Sequence, residues 1–342
     1  MPGTNVLITG ATGLVGRHFA RRAAEAGYDT QAMVRGRSDR SPLDGVRVRF
    51  VEGDLAAPES LPVALAEADV VVHAAAQVGD WGPAEKYRAI NVVALEHMLY
   101  GAQRTGRLRR WIQISSLGVY PARHHYGTDE NVPLDPTGLD GYTQTKAEAE
   151  IVIQRHIRDH GLPAVILRPG FIYGPGDRHA LPRIMEKIHA GKMKFLGRGD
   201  RVLNNTAVEN LCDAILLAIE QPGIDGETFN IRDERLVTRE EFINTIADYL
   251  ESPHPRHVPE WLGRLLVGPV ETIARLRGRE TPPFLTRAQI KFMTLNLDFS
   301  IAKAKRVLGY RPRVDFRDGI VAALDYATGK ESSRRATMAA SA

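Results

Sequence analysis

The chain has one cysteine, Cys212, so no internal disulfide can form. That excludes a disulfide-stapled secreted scaffold and suits a reducing setting, so a cytoplasmic location is expected. Cys212 sits in the apolar run Leu211-Cys212-Asp213-Ala214-Ile215-Leu216-Leu217-Ala218, which reads as a buried helix face and not as the setting of a nucleophile. Long apolar runs are lacking too: none reaches the ~20 residues that span a bilayer. Residues 5–10 run straight into a motif, which leaves no room for a secretory leader. Excess charge of one sign is also absent. The net charge is +4, and arginine clusters such as Arg107, Arg109 and Arg110 have no interleaved aromatics, so nucleic acid is not an expected partner. Nothing around His73 makes a metal site, and no metal is expected. No internal repeat is present. At 342 residues, 43% of them hydrophobic, the chain can fill one large core or two unequal ones.

Short β-branched runs alternate with helix-period segments over the first 170 or so residues. Strands are predicted at Asn5–Thr9, Thr30–Val34, Val46–Glu52, Val70–His73, Arg110–Ser115 and Ala164–Arg168. Helices are predicted at Val15–Ala26, Leu61–Ala66, Tyr87–Gln103 and Thr143–His160. This alternation implies an α/β fold: a doubly wound, Rossmann-type parallel sheet with a smaller C-terminal substrate lobe. The expected division is residues 1–173 for the dinucleotide domain, with 200–231 returning to it. Residues 174–199 and 232–328 form the lobe, and 329–342 a disordered tail.

Thr9-Gly10-Ala11-Thr12-Gly13-Leu14-Val15-Gly16 follows the first strand and opens the first helix. Gly10 lets the chain turn, Gly13 lets backbone approach a pyrophosphate, and Gly16 lets helix and strand pack closely. The amides of Thr12, Leu14 and Val15 then face an anion at the positive end of the helix dipole. The second strand ends Met33-Val34-Arg35-Gly36-Arg37 with no acid. An NAD site places a carboxylate there for the ribose, whereas Arg35 suits a 2′-phosphate; NADP(H) is favoured and NAD(H) is the alternative. Tyr142-Thr143-Gln144-Thr145-Lys146 puts a tyrosine and a lysine on one helix face. An ammonium there, with an oxidised nicotinamide, is expected to lower the tyrosine pKa and favour the phenolate.

The G-x-x-G-x-x-G spacing, with Tyr142-x-x-x-Lys146 and Ser115-Ser116 ahead of it, resembles the extended short-chain dehydrogenases/reductases, in the epimerase/dehydratase superfamily. That resemblance implies a catalytic trio of Ser116, Tyr142 and Lys146, with Ser115 supporting it or touching the cofactor. It places Asp54 and Leu55 against the adenine and passes Ala74, Ala75 and Ala76 beneath the cofactor. Pro169 and Ile172 are implied at the nicotinamide carboxamide, alongside the cofactor contacts of Tyr142 and Lys146. His73 reads as a packed histidine.

Nucleotide-sugar members carry an arginine where this chain has Asn204, and Val208-Glu209-Asn210 resembles the hydroxysteroid-dehydrogenase branch. Val78-Gly79-Asp80-Trp81-Gly82-Pro83 resembles 2-alkyl-3-oxoalkanoate reductases and sterol-4-carboxylate dehydrogenases, so Trp81 and Asn204 are candidate substrate contacts. The implied activity is hydride transfer between nicotinamide and a secondary alcohol or ketone on an apolar, sterol-like or β-oxo-acid substrate. The alternatives are a nucleotide-sugar epimerase/dehydratase with tightly bound NAD and a non-catalytic nucleotide-sensing protein. A homodimer is a family expectation. The segment Trp261–Leu276, expected to break at Gly268-Pro269, leaves three readings: plain packing as the default, a lipid-sized pocket, or peripheral membrane contact.

Overall fold

A computed structural model describes residues 3–79, 81–279, 281–283 and 285–330. Asp80 and most of the expected tail, residues 331–342, lie outside the described residues. In chain order the first elements are β1 (Asn5–Thr9), α1 (Leu14–Glu25), β2 (Asp29–Val34), β3 (Arg49–Glu52), α2 (Leu61–Leu65) and β4 (Val70–His73). Next come α3 (Ala84–Arg88), α4 (Ala94–Arg104), β5 (Arg110–Ile114), β6 (His125–Thr128), α5 (Gly141–His160), β7 (Ala164–Pro169) and β8 (Phe171–Tyr173). The remainder runs α6 (Ala180–His189), β9 (Lys194–Leu196), β10 (Val202–Leu203), β11 (Asn205–Ala207), α7 (Val208–Glu220), β12 (Thr228–Ile231) and β13 (Val237–Thr238). It closes with α8 (Arg239–Tyr249), β14 (Arg256–Val258), α9 (Glu260–Leu276), α10 (Arg287–Thr294), β15 (Leu297–Phe299) and α11 (Phe316–Thr328).

Seven parallel strands form the central sheet in the order β12-β7-β5-β4-β1-β2-β3. Strand order reverses between β1 and β4, and the crevice beyond their carboxyl ends is where such sheets bind ligands. The strands read as near-continuous apolar runs because both faces are covered. In β1, Val6 and Ile8 join the core under α1 and α7, while Leu7 points to the core under α2, α4 and α5. Cys212 is buried in the first of these cores, and burial pushes its thiol pKa well up. A third core gathers Tyr173, Phe195, Phe242 and Phe316.

Two predicted helices differ from expectation. The run Tyr87–Gln103 is split into α3 and α4 by a π-helical turn over Ala89–Val93, whose Asn91 is buried. The segment Trp261–Leu276 does not break at Gly268-Pro269; α9 continues through Pro269. Pro269 frees the carbonyl of Leu265, which lies on the solvent side, 64% exposed, where water can satisfy it. One side of α9 packs through Gly263, Val267 and Ala274, while Trp261, Leu265 and Leu276 stay exposed. No helix among the described residues is long and apolar enough to cross a membrane.

Candidate active site

The glycine loop sits at the sheet crevice. Gly10 has φ +64°, and a Cβ on it would lie 2.8 Å from the amide nitrogen of Ala75. A Cβ on Gly16 would lie 2.2 Å from the Gly10 carbonyl oxygen, so only glycine lets α1 start so close to β1. Gly13 caps α1 and donates to the Gly10 carbonyl at 2.9 Å. The first amides of α1, at Leu14, Val15 and Gly16, have no partner within the helix and face outward from its N-terminus. Thr12 and Gly13 are accessible, and half-exposed Ala74, Ala75 and Ala76 run beside the loop. The Ala75 N–H donates to Thr9 Oγ1 at 3.1 Å, which fixes that approach. This cradle of small residues and free amides fits a dinucleotide pyrophosphate.

At the adenosine end, Arg35 is exposed beyond β2, held in a turn with Ser38. The sequence places no acid at the end of β2, but the sheet brings one from elsewhere. Val34 pairs with Glu52 of β3, and Glu52 Oε1 lies 3.0 Å from where a Gly36 Cβ would stand. Asp54 accepts from the Ala56 N–H at 2.9 Å within its own turn, and Leu55 is buried.

Ser116, Tyr142 and Lys146 come together at the end of β5 and the start of α5. Asp140 caps α5 by accepting from the Thr143 N–H at 2.8 Å, which places Tyr142 in the first turn. Ser116 Oγ accepts from the Gly118 N–H at 3.0 Å and lies near the Tyr142 hydroxyl. Lys146 Nζ donates to the Ile114 carbonyl at 2.7 Å and stands 5.9 Å from the centre of the Tyr142 ring. In the chain by itself, burial opposes the phenolate. Burial pushes the Tyr142 pKa up to about 12, with Ser116 pulling against it and the Asp140 charge adding to it. Burial lowers Lys146 to about 8, partly offset by Glu150. Burial and Lys146 lower His73 to about 3, so it is neutral. It exchanges a hydrogen bond with Thr9 Oγ1 at 2.9 Å and packs against the Trp111 ring.

Ser115 does not face the crevice. Its hydroxyl donates to Glu150 in the interior, which removes its side chain from the cofactor role and leaves the supporting one. Pro169 is buried at the end of β7, Ile172 is half-buried, and the Gly170 N–H donates to Thr206 Oγ1 at 3.1 Å. Asn204 lies against that segment: its carbonyl accepts from the Phe171 N–H at 2.8 Å, and its side-chain amide has no hydrogen-bond partner among the described residues. Trp81 Nε1 donates to the Arg279 carbonyl at 2.8 Å, while Tyr87 donates its hydroxyl to the Trp81 carbonyl at 2.7 Å. Trp81 therefore ties the loop after β4 to the end of α9.

Several residues that shape the site did not stand out in the sequence. Asn91 grips the loop after β4, accepting from the Gln77 N–H at 2.8 Å and donating to the Gln77 carbonyl at 3.1 Å. It also donates to Thr145 of α5 at 3.0 Å. Arg168 and Glu150 pair at 2.6 Å, 5% and 1% exposed. Arg168 donates onward to the Tyr120 hydroxyl at 2.6 Å, and that hydroxyl donates to Asn230 at 2.8 Å. The available signal was a charged residue inside an otherwise apolar strand, Ala164-Val165-Ile166-Leu167-Arg168.

A family model, "NAD dependent epimerase/dehydratase family", matches residues 6–231. The chain belongs to this family. Among curated relatives, the 2-alkyl-3-oxoalkanoate reductase of Shewanella oneidensis is 28% identical, with 93% of this chain and 84% of that protein aligned. The decarboxylating sterol-4-alpha-carboxylate 3-dehydrogenase of Candida albicans is also 28% identical, over 94% of this chain and 97% of that one. Among solved structures, that of gox2253 superposes with a TM-score of 0.81 at 27% identity, covering 96% of this chain and 99% of its own.

The Glu150–Arg168 pair generates a test. Removing either partner alone, as Glu150→Met or Arg168→Met, leaves a buried charge unmatched and should cost about 3–5 kcal/mol in urea unfolding. The double variant should cost clearly less than the sum, whereas additive losses would mean the two side chains are not coupled.

Proposed function

We propose that this family member is an NADP(H)-dependent ketone reductase, acting on an apolar oxo acid or sterol-like ketone. The observation that carries the reading is the grouping of Ser116, Tyr142 and Lys146 beside the glycine cradle, with a neutral tyrosine hydroxyl at its centre. The nicotinamide, when bound, supplies the hydride. Ser116 Oγ holds the substrate carbonyl oxygen beside the Tyr142 hydroxyl, and that hydroxyl gives its proton to the oxygen as the alcohol forms. Lys146, pinned to the Ile114 carbonyl, supplies positive charge as the tyrosinate develops. The protonated tyrosine is the form that can donate to a carbonyl oxygen.

The names and coverage of the relatives support the oxo-acid and sterol classes. Asn204, standing where a diphosphate-binding member has a cation, weighs against a nucleotide sugar. Arg35 supports the 2′-phosphate, and Glu52 favours a second cofactor reading, NAD(H), because its carboxylate borders the same turn.

Purified enzyme should consume NADPH with an apolar ketone, and Tyr142→Phe should abolish turnover while leaving NADPH affinity nearly unchanged. Equal loss of both would make Tyr142 structural. Arg35→Ala should raise the KM for NADPH about tenfold and leave that for NADH in place, in line with the loss of one charge-assisted phosphate contact. An unchanged NADPH KM would shift the choice to Glu52 and NAD(H).

A further inference from the structure

A cavity of about 280 Å³ lies between the N-terminal end of α5 and the lobe helices α9 and α10. Leu139, Val267, Ile290 and Leu295 give it apolar walls. Leu139 immediately precedes Asp140, the residue that caps the helix carrying Tyr142, so the cavity abuts the first turn of that helix. Three cations also line it: Arg264, Arg287 and Lys291.

The two arginines have carboxylates of their own. Arg264 meets Glu260 at 2.6 Å and Arg287 meets Glu271 at 3.5 Å. Lys291 differs. It is half-buried, and among the described residues its ammonium has no ion-pair or hydrogen-bond partner. Asp140 and Asp135 attract it from a distance without an ion pair, each held in its own turn by accepting from the Thr143 and Thr137 amides at 2.8 and 3.0 Å. A half-buried ammonium that no carboxylate contacts directly, set among apolar walls, is a site for an anion with an apolar body.

We infer that Lys291 binds the carboxylate of an alkyl-chain acid in this cavity, while Leu139, Val267, Ile290 and Leu295 hold the chain. This deepens the reductase reading and rests on it for the link to turnover: Lys291 is a specificity residue that selects acids over neutral ketones. A diphosphate would also seek these cations, but the cavity gives it apolar walls and one cation free of a direct ion pair, where a diphosphate wants several donors.

Calorimetric titration of the full chain with octanoate, octanol and UDP tests the inference without relying on turnover. Wild type should bind octanoate about tenfold more tightly than octanol, the size of one charge-assisted contact. Lys291→Met should erase that gap while leaving octanol binding in place, and Lys291→Arg should keep most of it. Equal wild-type affinity for octanoate and octanol overturns the inference, as does a gap that survives in Lys291→Met. UDP binding that depends on Lys291 without octanoate binding assigns the cations to a diphosphate and also overturns it. NADPH turnover of a neutral ketone, measured in parallel, separates the two readings. Lys291-dependent octanoate binding with no ketone reduced by any variant sinks the reductase reading alone. Ketone reduction with Lys291-independent acid binding sinks only the carboxylate site.

Discussion

Glu150 and Arg168 meet in the interior at 2.6 Å, and the candidate active site is built around that contact. Glu150 lies one helical turn beyond Lys146 on α5, Arg168 lies in the last part of β7, and Ser115, just after β5, donates to the same carboxylate. One carboxylate thus fixes α5 against two neighbouring strands of the sheet. Arg168 extends the link through Tyr120 to Asn230 of β12 at the sheet edge. Such a buried pair adds little net stability over an apolar replacement, but losing one partner is costly, so the arrangement demands all of its members. What it supplies here is position: Lys146 reaches the Ile114 carbonyl, and Tyr142 sits beside Ser116.

The same packing sets the protonation states. Burial dominates at Tyr142, Lys146 and His73, in each case disfavouring the charged form. Glu150 keeps Lys146 from falling further, so the carboxylate that positions the lysine also holds on to its proton near neutral pH. His73, close to Lys146, stays neutral and so adds no competing cation beneath the cofactor cradle. The outcome is a proton donor next to an ammonium, an arrangement suited to delivering a proton to a carbonyl oxygen.

Local patterns were legible in the sequence where chemistry and backbone geometry coincide. The strand bounds of β1 and β4 and the spacing of Gly10, Gly13 and Gly16 follow from periodicity and from what only glycine permits. The pairing of Tyr142 with Lys146 follows from helix period. Relations made by tertiary packing were not legible. Glu52 reaches the end of β2 only because β3 pairs there in that register. The inward turn of Ser115 depends on a carboxylate 35 positions later. The burial of the tyrosine was not legible either, because sequence shows the neighbouring lysine but not the packing around the ring. Pro269 looked like a helix break, yet it sits on the exposed side of α9, where a lost backbone bond is cheap.

In the proposed reaction a protonated Tyr142, supported by a charged Lys146, delivers the proton in ketone reduction. The pH dependence of kcat/KM for NADPH-driven reduction, followed from about pH 6 to about pH 10, addresses it directly. A level profile through neutrality is expected, falling as pH rises through about 8, where Lys146 loses its charge, because Tyr142 stays protonated to about 12. A rate that climbs with pH through the neutral range would mean that an ionised base drives the reaction and that Tyr142 is not the proton donor.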